Sequence, residues 1–381
     1  MRQDRRVGWD EKSKLRRMDV AITFLSNSRV IETQQALDDL VARIEIAPWL
    51  AIDTEADSLH SFPEKLCLIQ VSLPGEDHLI DPLAGLNLSS LFAIFRQREL
   101  IMHGSDYDLR LFKDHHDFLP TTLFDTMFAA RLLGKAKFGL ADLAANCLGV
   151  KLEKSGQKAN WSKRPITPAL QQYARDDTRH LKALSDLLRA ELESKGRLDW
   201  HKQECDKLIR STSQPQIPDS DSIWRIRGSA PLGASALAIL RELWHWRNEE
   251  ARQLNRPPFF VLSHDLMIHL ADCASAGNGF EQHVPRRAPE PRRRRIIEAI
   301  ERGLRVPSEV RPNPYQHPPR THFTKQQRRR LDAVQKSRDD SAKTLCLDPT
   351  IIASRAMLTR IAMDETAQEE LLPWQRACLQ F

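Results

Sequence analysis

No two of the 6 cysteines in this 381-residue chain form a Cys-x-x-Cys pair. Cys67, Cys147, Cys205, Cys273, Cys346 and Cys378 are scattered, which argues against a disulfide framework and against zinc ligands, and fits the reduced thiols of a cytoplasmic protein. Long apolar runs are missing as well. Nothing reads as a membrane span, and Met1 to Arg17, polar and rich in both charge signs, lacks the apolar core of a secretory signal. Residues 1–19 read as a flexible tail. There is also no Gly-x-x-x-x-Gly-Lys-Ser/Thr phosphate loop of the kind helicases carry. What the chain does have is positive charge. A formal net charge of +6 and a pI of about 9.0 permit a polyanionic partner without demanding one. The length suits two or three domains, each able to bury a core.

Against that background the stretch Asp53-Thr54-Glu55 stands out. It ends the apolar run Pro48-Trp49-Leu50-Ala51-Ile52 with two carboxylates one residue apart. On a strand, positions two apart share a face, so both could turn toward one metal ion; an acidic strand end taken alone also fits a solvated turn. Further acids recur in suitable places. Ile101 to Phe112 reads as a short buried strand, a Gly-Ser break and the first turns of a helix carrying Asp106 and Asp108. Tyr173 and Asp177 stand four apart in a helical pattern and so stack on one face. Three segments with acids at element starts or on a helix face are what a carboxylate-held Mg²⁺ site needs.

The order Asp-x-Glu, then His-Gly-Ser-Asp-Tyr-Asp-Leu, then Tyr-x-x-x-Asp resembles the three exonuclease motifs of the DEDD superfamily, and the tyrosine points to its DEDDy branch. The ribonuclease D family is the most similar, with Leu66 to Ser72 and Lys158 to Pro165 also alike. The resemblance implies that Asp53, Glu55, Asp108 and Asp177 hold metal and that Tyr173 orients the attacking water. Asp106 competes with Asp108, and Asp176 with Asp177. The Asp-Leu-x-x-Phe continuation favours Asp108, and the spacing from Tyr173 favours Asp177. The implied chemistry is phosphodiester hydrolysis with two divalent ions, Mg²⁺ or Mn²⁺. With an ordinary pKa of about 10, Tyr173 is a poor base at neutral pH. The expected activity is a 3′–5′ exoribonuclease acting on structured RNA, above all transfer RNA precursors, as a monomer with no membrane partner. The rival readings are a DNA exonuclease of the same superfamily and a non-catalytic RNA-binding protein.

The fold class implied is α/β: a ribonuclease H-like domain with a mixed central sheet over residues 20–210, followed by one or two all-α HRDC-like bundles. Expected strands are Ala21–Leu25, the run ending at Glu55, Cys67–Leu73, His78–Ile80 and Leu100–His103. Expected helices include Thr33–Ile46, Phe138–Cys147 and Ala169–Leu192. Within the basic loop Lys154–Pro165, Lys158, Trp161 and Arg164 are candidate nucleic-acid contacts. Trp161 could stack a base or anchor the loop on the core, and Arg164 could meet phosphate.

After a Ser211–Pro218 linker, residues 225–305 resemble an HRDC domain. Its tryptophans read as core more than as stacking platforms, and Arg241, Arg247 and Arg252 on the outer face are candidates for phosphate contact or simply solvated. Arg292 to Arg295 could meet a nucleic-acid backbone or simply be solvated. A Pro307–Pro319 spacer leads to residues 320–381, which pair a Lys325–Lys336 helix with Pro349–Ala362 and look like a second HRDC-like bundle.

Overall fold

A computed structural model describes residues 30–153, 155–215, 219, 221–315 and 323–379. The expected tail 1–19 and the strand Ala21–Leu25 lie outside the described residues, as do Lys154 and parts of both linkers.

A mixed six-stranded sheet is the frame of the first domain. Its strands are β1 (Val30–Ile31), β2 (Leu50–Ala56), β3 (Leu66–Leu73), β4 (Glu76–Ile80), β5 (Glu99–Met102) and β6 (Thr122–Asp125). They lie in the order β1-β4-β3-β2-β5-β6. β3 runs antiparallel to both β2 and β4, whereas β1–β4, β2–β5 and β5–β6 are parallel. Every residue of β3 is buried, as a strand covered on both faces requires. The alternation of side chains divides the core. Ile52, Ile69 and Val71 turn toward α1 (Gln34–Ile46), α2 (Ser89–Arg96), α3 (Asp106–His116) and α8 (Leu198–Ser213). The other face packs Cys67, Leu68 and Leu79 against α6 (Pro168–Arg179). On the same side Ala51 and Ile101 meet α7 (Leu181–Ser194).

Several elements differ from expectation. β1 and β6 went unread because runs of two and four residues carry too little period to stand out. The single helix expected over Ala169–Leu192 is two, α6 and α7, meeting at His180. The helix expected over Phe138–Cys147 is the short α5 (Leu140–Leu143) continued by a π-helical turn, Ala144–Leu148, and closed by Gly149 in the left-handed region. Between β6 and α5 lies α4 (Thr126–Leu132). α8 runs to Ser213, into the expected linker.

The second domain is helical: α9 (Ala234–Leu254), α10 (Pro258–Val261), α11 (His264–Ser275) and α12 (Glu290–Leu304). Trp224, Leu237, Leu240, Leu243, Met267 and Ile300 are among its core residues. α9 and α12 cross so closely that a Cβ on Gly303 would lie 2.4 Å from the Ile239 Cα, so only glycine fits there. The C-terminal helices are α13 (Lys325–Leu345), α14 (Pro349–Ile352), α15 (Arg355–Met363) and α16 (Pro373–Ala377). They do not keep a core to themselves. Val334, Ile361, Leu372 and Trp374 share one apolar cluster with Phe124, Leu132, Leu188 and Leu192 of the first domain.

Candidate active site

The pleat of β2 sorts its own site residues. Asp53 and Glu55 point to the α6 side, and Thr54 between them points to the α3 side. Asp108, in the first turn of α3 and only 6% exposed, accepts a hydrogen bond from the Thr54 hydroxyl. The acid on one side of the sheet is thereby tied to the strand that carries the other two. From the opposite side α6 delivers Tyr173 and Asp177, and the Tyr173 hydroxyl donates to the Asp177 carboxylate. The helix is held in place by Ala174 against Cys67, Leu68 and Leu79, by the Thr178–Ser72 hydroxyl pair at 2.7 Å, and by Arg179 on Asp77 at 2.7 Å.

These elements enclose a cavity of about 400 Å³. Asp53, Glu55, Tyr173 and Asp177 form one wall. His103, the Gly139–Asp142 turn, Leu152, Glu153 and Gln157 complete it. Burial and mutual repulsion dominate the electrostatics. Desolvation and the charges of Asp108, Asp177 and Glu55 raise the Asp53 carboxyl well above its usual range. Glu55 is pushed up to about 9, chiefly by burial and then by Asp177 and Asp108. Asp177 rises to about 7 and Asp108 to about 6, both mainly through burial, with hydrogen bonds from Tyr173 and Thr54 respectively pulling back. Burial and the surrounding carboxylates also push the Tyr173 phenol upward.

Fully ionised, such a cluster would carry more negative charge than a protein keeps without a cation. The donor set, all oxygen, suits a hard divalent ion. A further observation fits one. Gln70 of β3 stands opposite Asp53 in the strand register and therefore on the same face, fully buried, with both polar atoms of its amide lacking a partner among the described residues. Ions or their waters held by Asp53, Glu55, Asp108 and Asp177 would occupy that environment.

The competing acids take other roles. Asp106 pairs with Arg110 at 2.7 Å on the exposed flank of α3, and Asp176 pairs with Arg179 at 3.1 Å. Two of the three candidate nucleic-acid residues are corrected. Trp161 is 2% exposed and packs 6.0 Å from the Tyr173 ring, so it anchors the loop and offers no face to a base. The Arg164 guanidinium is taken up by Asp81 and by the carbonyls of Cys67, Trp161 and Lys163, so it braces the loop and is not free for phosphate. Lys158 is exposed. In the helical domain Arg247 is buried, not on the outer face. Arg292 and Arg295 both bind the buried Glu250, while Arg293 and Arg294 pair within α12.

Three positions escaped the sequence reading. Asp125, fully buried, accepts from the N–H groups of Gly104, Ser105, Met127 and Phe128 and from the Ser105 hydroxyl. It thus fixes the turn from which α3 starts, and with it Asp108. Gly156 lies under Tyr173, where a Cβ would come within 2.4 Å of the ring. His103 lines the cavity, bonded to the Thr126 hydroxyl at 2.8 Å, and burial lowers its pKa so that the ring stays neutral. Asp125 and Gly156 carry no signal in sequence spacing, whereas His103 opens the second motif.

Residues 28–193 match the 3′–5′ exonuclease family and residues 236–275 the HRDC domain. Ribonuclease D of Gluconacetobacter diazotrophicus is 31% identical over 251 residues, 65% of this chain and 63% of that protein. Ribonuclease D of Zymomonas mobilis is 34% identical over 248 residues, 64% and 63% of the two. The chain therefore spans a little under two thirds of these relatives. Among solved structures, Escherichia coli RNase D, described as an exoribonuclease involved in structured RNA processing, has a TM-score of 0.69 at 25% identity over 91% of this chain and 92% of its own. A protein from Bifidobacterium adolescentis shares the fold with a TM-score of 0.76 at 24% identity, covering 92% and 94% of the two chains.

Proposed function

The chain carries a 3′–5′ exonuclease domain followed by an HRDC domain, and from that premise we propose that it is a metal-dependent 3′–5′ exoribonuclease. It removes nucleotides from the 3′ end of structured RNA, with transfer RNA precursors as the leading substrate class. The observation that carries this reading is the meeting of Asp53, Glu55 and Asp177 with Tyr173 at one cavity, with Asp108 tied in through Thr54. Two divalent ions, Mg²⁺ or Mn²⁺, held by the four carboxylates would supply the charge that activates water and stabilises the leaving 3′ oxygen. The protein's own part is positioning. With its pKa pushed up and its hydroxyl donating to Asp177, Tyr173 keeps its proton and orients the attacking water through its oxygen lone pairs. Neutral His103, Gln157 and the Gly139–Asp142 turn offer hydrogen bonds and contact surface to the terminal nucleotide.

RNA is favoured over DNA because relatives at 31 and 34% identity are ribonucleases D. One chain brings all five site residues together, which supports action as a monomer. The 6 cysteines are free thiols, which fits the cytoplasm. Among the described residues no helix is long and apolar enough to cross a membrane.

The test is incubation of the purified protein with a 3′-extended transfer RNA and with a matched DNA strand, with and without Mg²⁺ or Mn²⁺, resolved at single-nucleotide steps. The expected result is a metal-dependent RNA ladder shrinking from the 3′ end. Asp108→Ala should reduce it by roughly 10²–10³-fold or more, the range seen when one transition-state charge partner is removed. Degradation of DNA alone would favour the DNA exonuclease, and binding without cleavage of either would favour a non-catalytic module.

A further inference from the structure

Away from the nuclease cavity, the HRDC domain holds a cluster that the proposed reaction does not use. His269 and Cys273 stand four apart on α11 and therefore share a face. Beyond α11 the chain reverses at Gly277, whose φ of +72° lies in the left-handed region, while the Asn278 N–H caps the Cys273 carbonyl at 3.0 Å. It returns through the 3-10 turn Glu281–His283. Phe280 and Val284, on either side of that turn, pack into the domain core. His283 is thus carried against α11 by its neighbours.

The ligand atoms of His269, Cys273 and His283 all lie within 4.8 Å of one another. The Cys273 Sγ is 3.8 and 3.7 Å from the two ring nitrogens of His269, and the His269 and His283 rings meet edge to face at 4.5 Å. With Zn–S of about 2.3 Å and Zn–N of about 2.0 Å, the S···N edge of a tetrahedral site is about 3.5 Å. The observed spacing is close to that edge, and a turn of the His269 ring selects which nitrogen binds.

We propose that His269, Cys273 and His283 form a zinc site with a fourth position open to water. One thiolate and two imidazoles, without a carboxylate, favour Zn²⁺ over the hard ions that suit the nuclease carboxylates. His269 is exposed and the other two are half-buried, so an ion can reach all three from solvent. Bound zinc clips the connector between α11 and α12 to α11. The absence of Cys-x-x-Cys pairs had argued against zinc ligands; here histidines replace the second cysteine.

The test uses the whole 381-residue chain, stripped with chelator and titrated with Co²⁺ in excess Mg²⁺, which competes for the carboxylate site. One equivalent of Co²⁺ should give intense tetrahedral visible bands and a thiolate charge-transfer band, both erased by one equivalent of Zn²⁺. Cys273→Ser should abolish the charge-transfer band. His283→Ala, on the connector turn, should weaken Co²⁺ affinity more than about tenfold, a loss seen even for partners outside a ligand set. Circular dichroism checks that both variants stay folded; should Cys273→Ser unfold, His283→Ala decides. No thiolate band in the native protein, or its persistence in folded Cys273→Ser, overturns the site, as does unchanged affinity in His283→Ala.

Discussion

At the scale of single residues, the acids of the cavity stabilise the metal-free fold only while protonated. Asp108, Asp177 and Glu55 have folded pKa values raised to about 6, 7 and 9 from reference values of 3.8, 3.8 and 4.5. A raised carboxyl contributes its stability fully below the unfolded pKa and loses it as pH climbs through the folded one. In chelator, Asp177→Asn, which cannot ionise, should therefore gain melting temperature over the native protein between pH 5 and pH 8. Saturating Mg²⁺ should cancel that gain. An advantage that shrinks with rising pH would contradict the upward shift that burial, and then neighbouring charge, gives the Asp177 carboxyl. Gly156 offers a second residue-scale test, since the Cβ of Gly156→Ala would lie 2.4 Å from the Tyr173 ring. Displacing that ring should lower kcat about tenfold or more with metal binding retained, because a small misplacement of a positioning group is costly. Single-turnover rates beside a metal titration would show it, and an unchanged kcat would remove Tyr173 from the reaction.

At the scale of elements, the loop at 155–165 behaves as a brace of the cavity wall. Arg164 ties it to Asp81, which is 3% exposed and also caps the 3-10 turn Pro82–Ala84. Arg164→Ala strands a buried carboxylate, and such a loss costs about 3 kcal/mol or more. It should appear in denaturant unfolding, whereas exposed Lys158→Ala should leave unfolding unchanged and weaken RNA binding with a shallower salt slope. A salt-slope change for Arg164→Ala without a stability loss would restore the phosphate role. This contrast also shows what was legible beforehand. Asp53 with Glu55, and Tyr173 with Asp177, could be read because each pair sits on one element, where a period of two or a spacing of four sets the shared face. Arg164 was misread as a phosphate contact and Trp161 stayed open between stacking and anchoring, because their partners Asp81, Cys67 and Tyr173 belong to other elements and a sequence does not show which loop side chains are covered. β6 was lost because four residues show too little period. Its four residues gain meaning only through pairing with β5 and through Asp125 holding Gly104 and Ser105.

At the scale of the whole molecule, the C-terminal helices share the first domain's core, whereas the HRDC helices build a separate cluster against which Phe62 of the first domain packs. Trp374 of α16, 3% exposed, stacks on Trp200 of α8 at 4.8 Å, and the Arg197 guanidinium reaches the carbonyls of both Leu132 and Leu345. Gly134 presses on the Cys346 carbonyl so closely that a Cβ there would overlap it. The cluster that joins Phe124, Leu132, Leu188 and Leu192 to Val334, Ile361 and Leu372 has no boundary between the two segments. β6 is the strand that carries both Phe124, in this shared cluster, and Asp125, which orders the start of α3. Loosening the C-terminal helices should therefore reach Asp108 through β6. Trp374→Ala should cost about 3–5 kcal/mol, as large-to-small changes in a packed core do. The loss should fall on catalysis as well as on the tail, with cleavage activity and the fluorescence of Trp200 disappearing together in one denaturant transition shifted to lower midpoint. The HRDC domain, whose core is built around Trp224 and Leu240, should keep its own midpoint in the same variant. If activity instead survives past the loss of the α13–α16 signal, the C-terminal helices are an appendage, and the shared cluster does not couple them to the site.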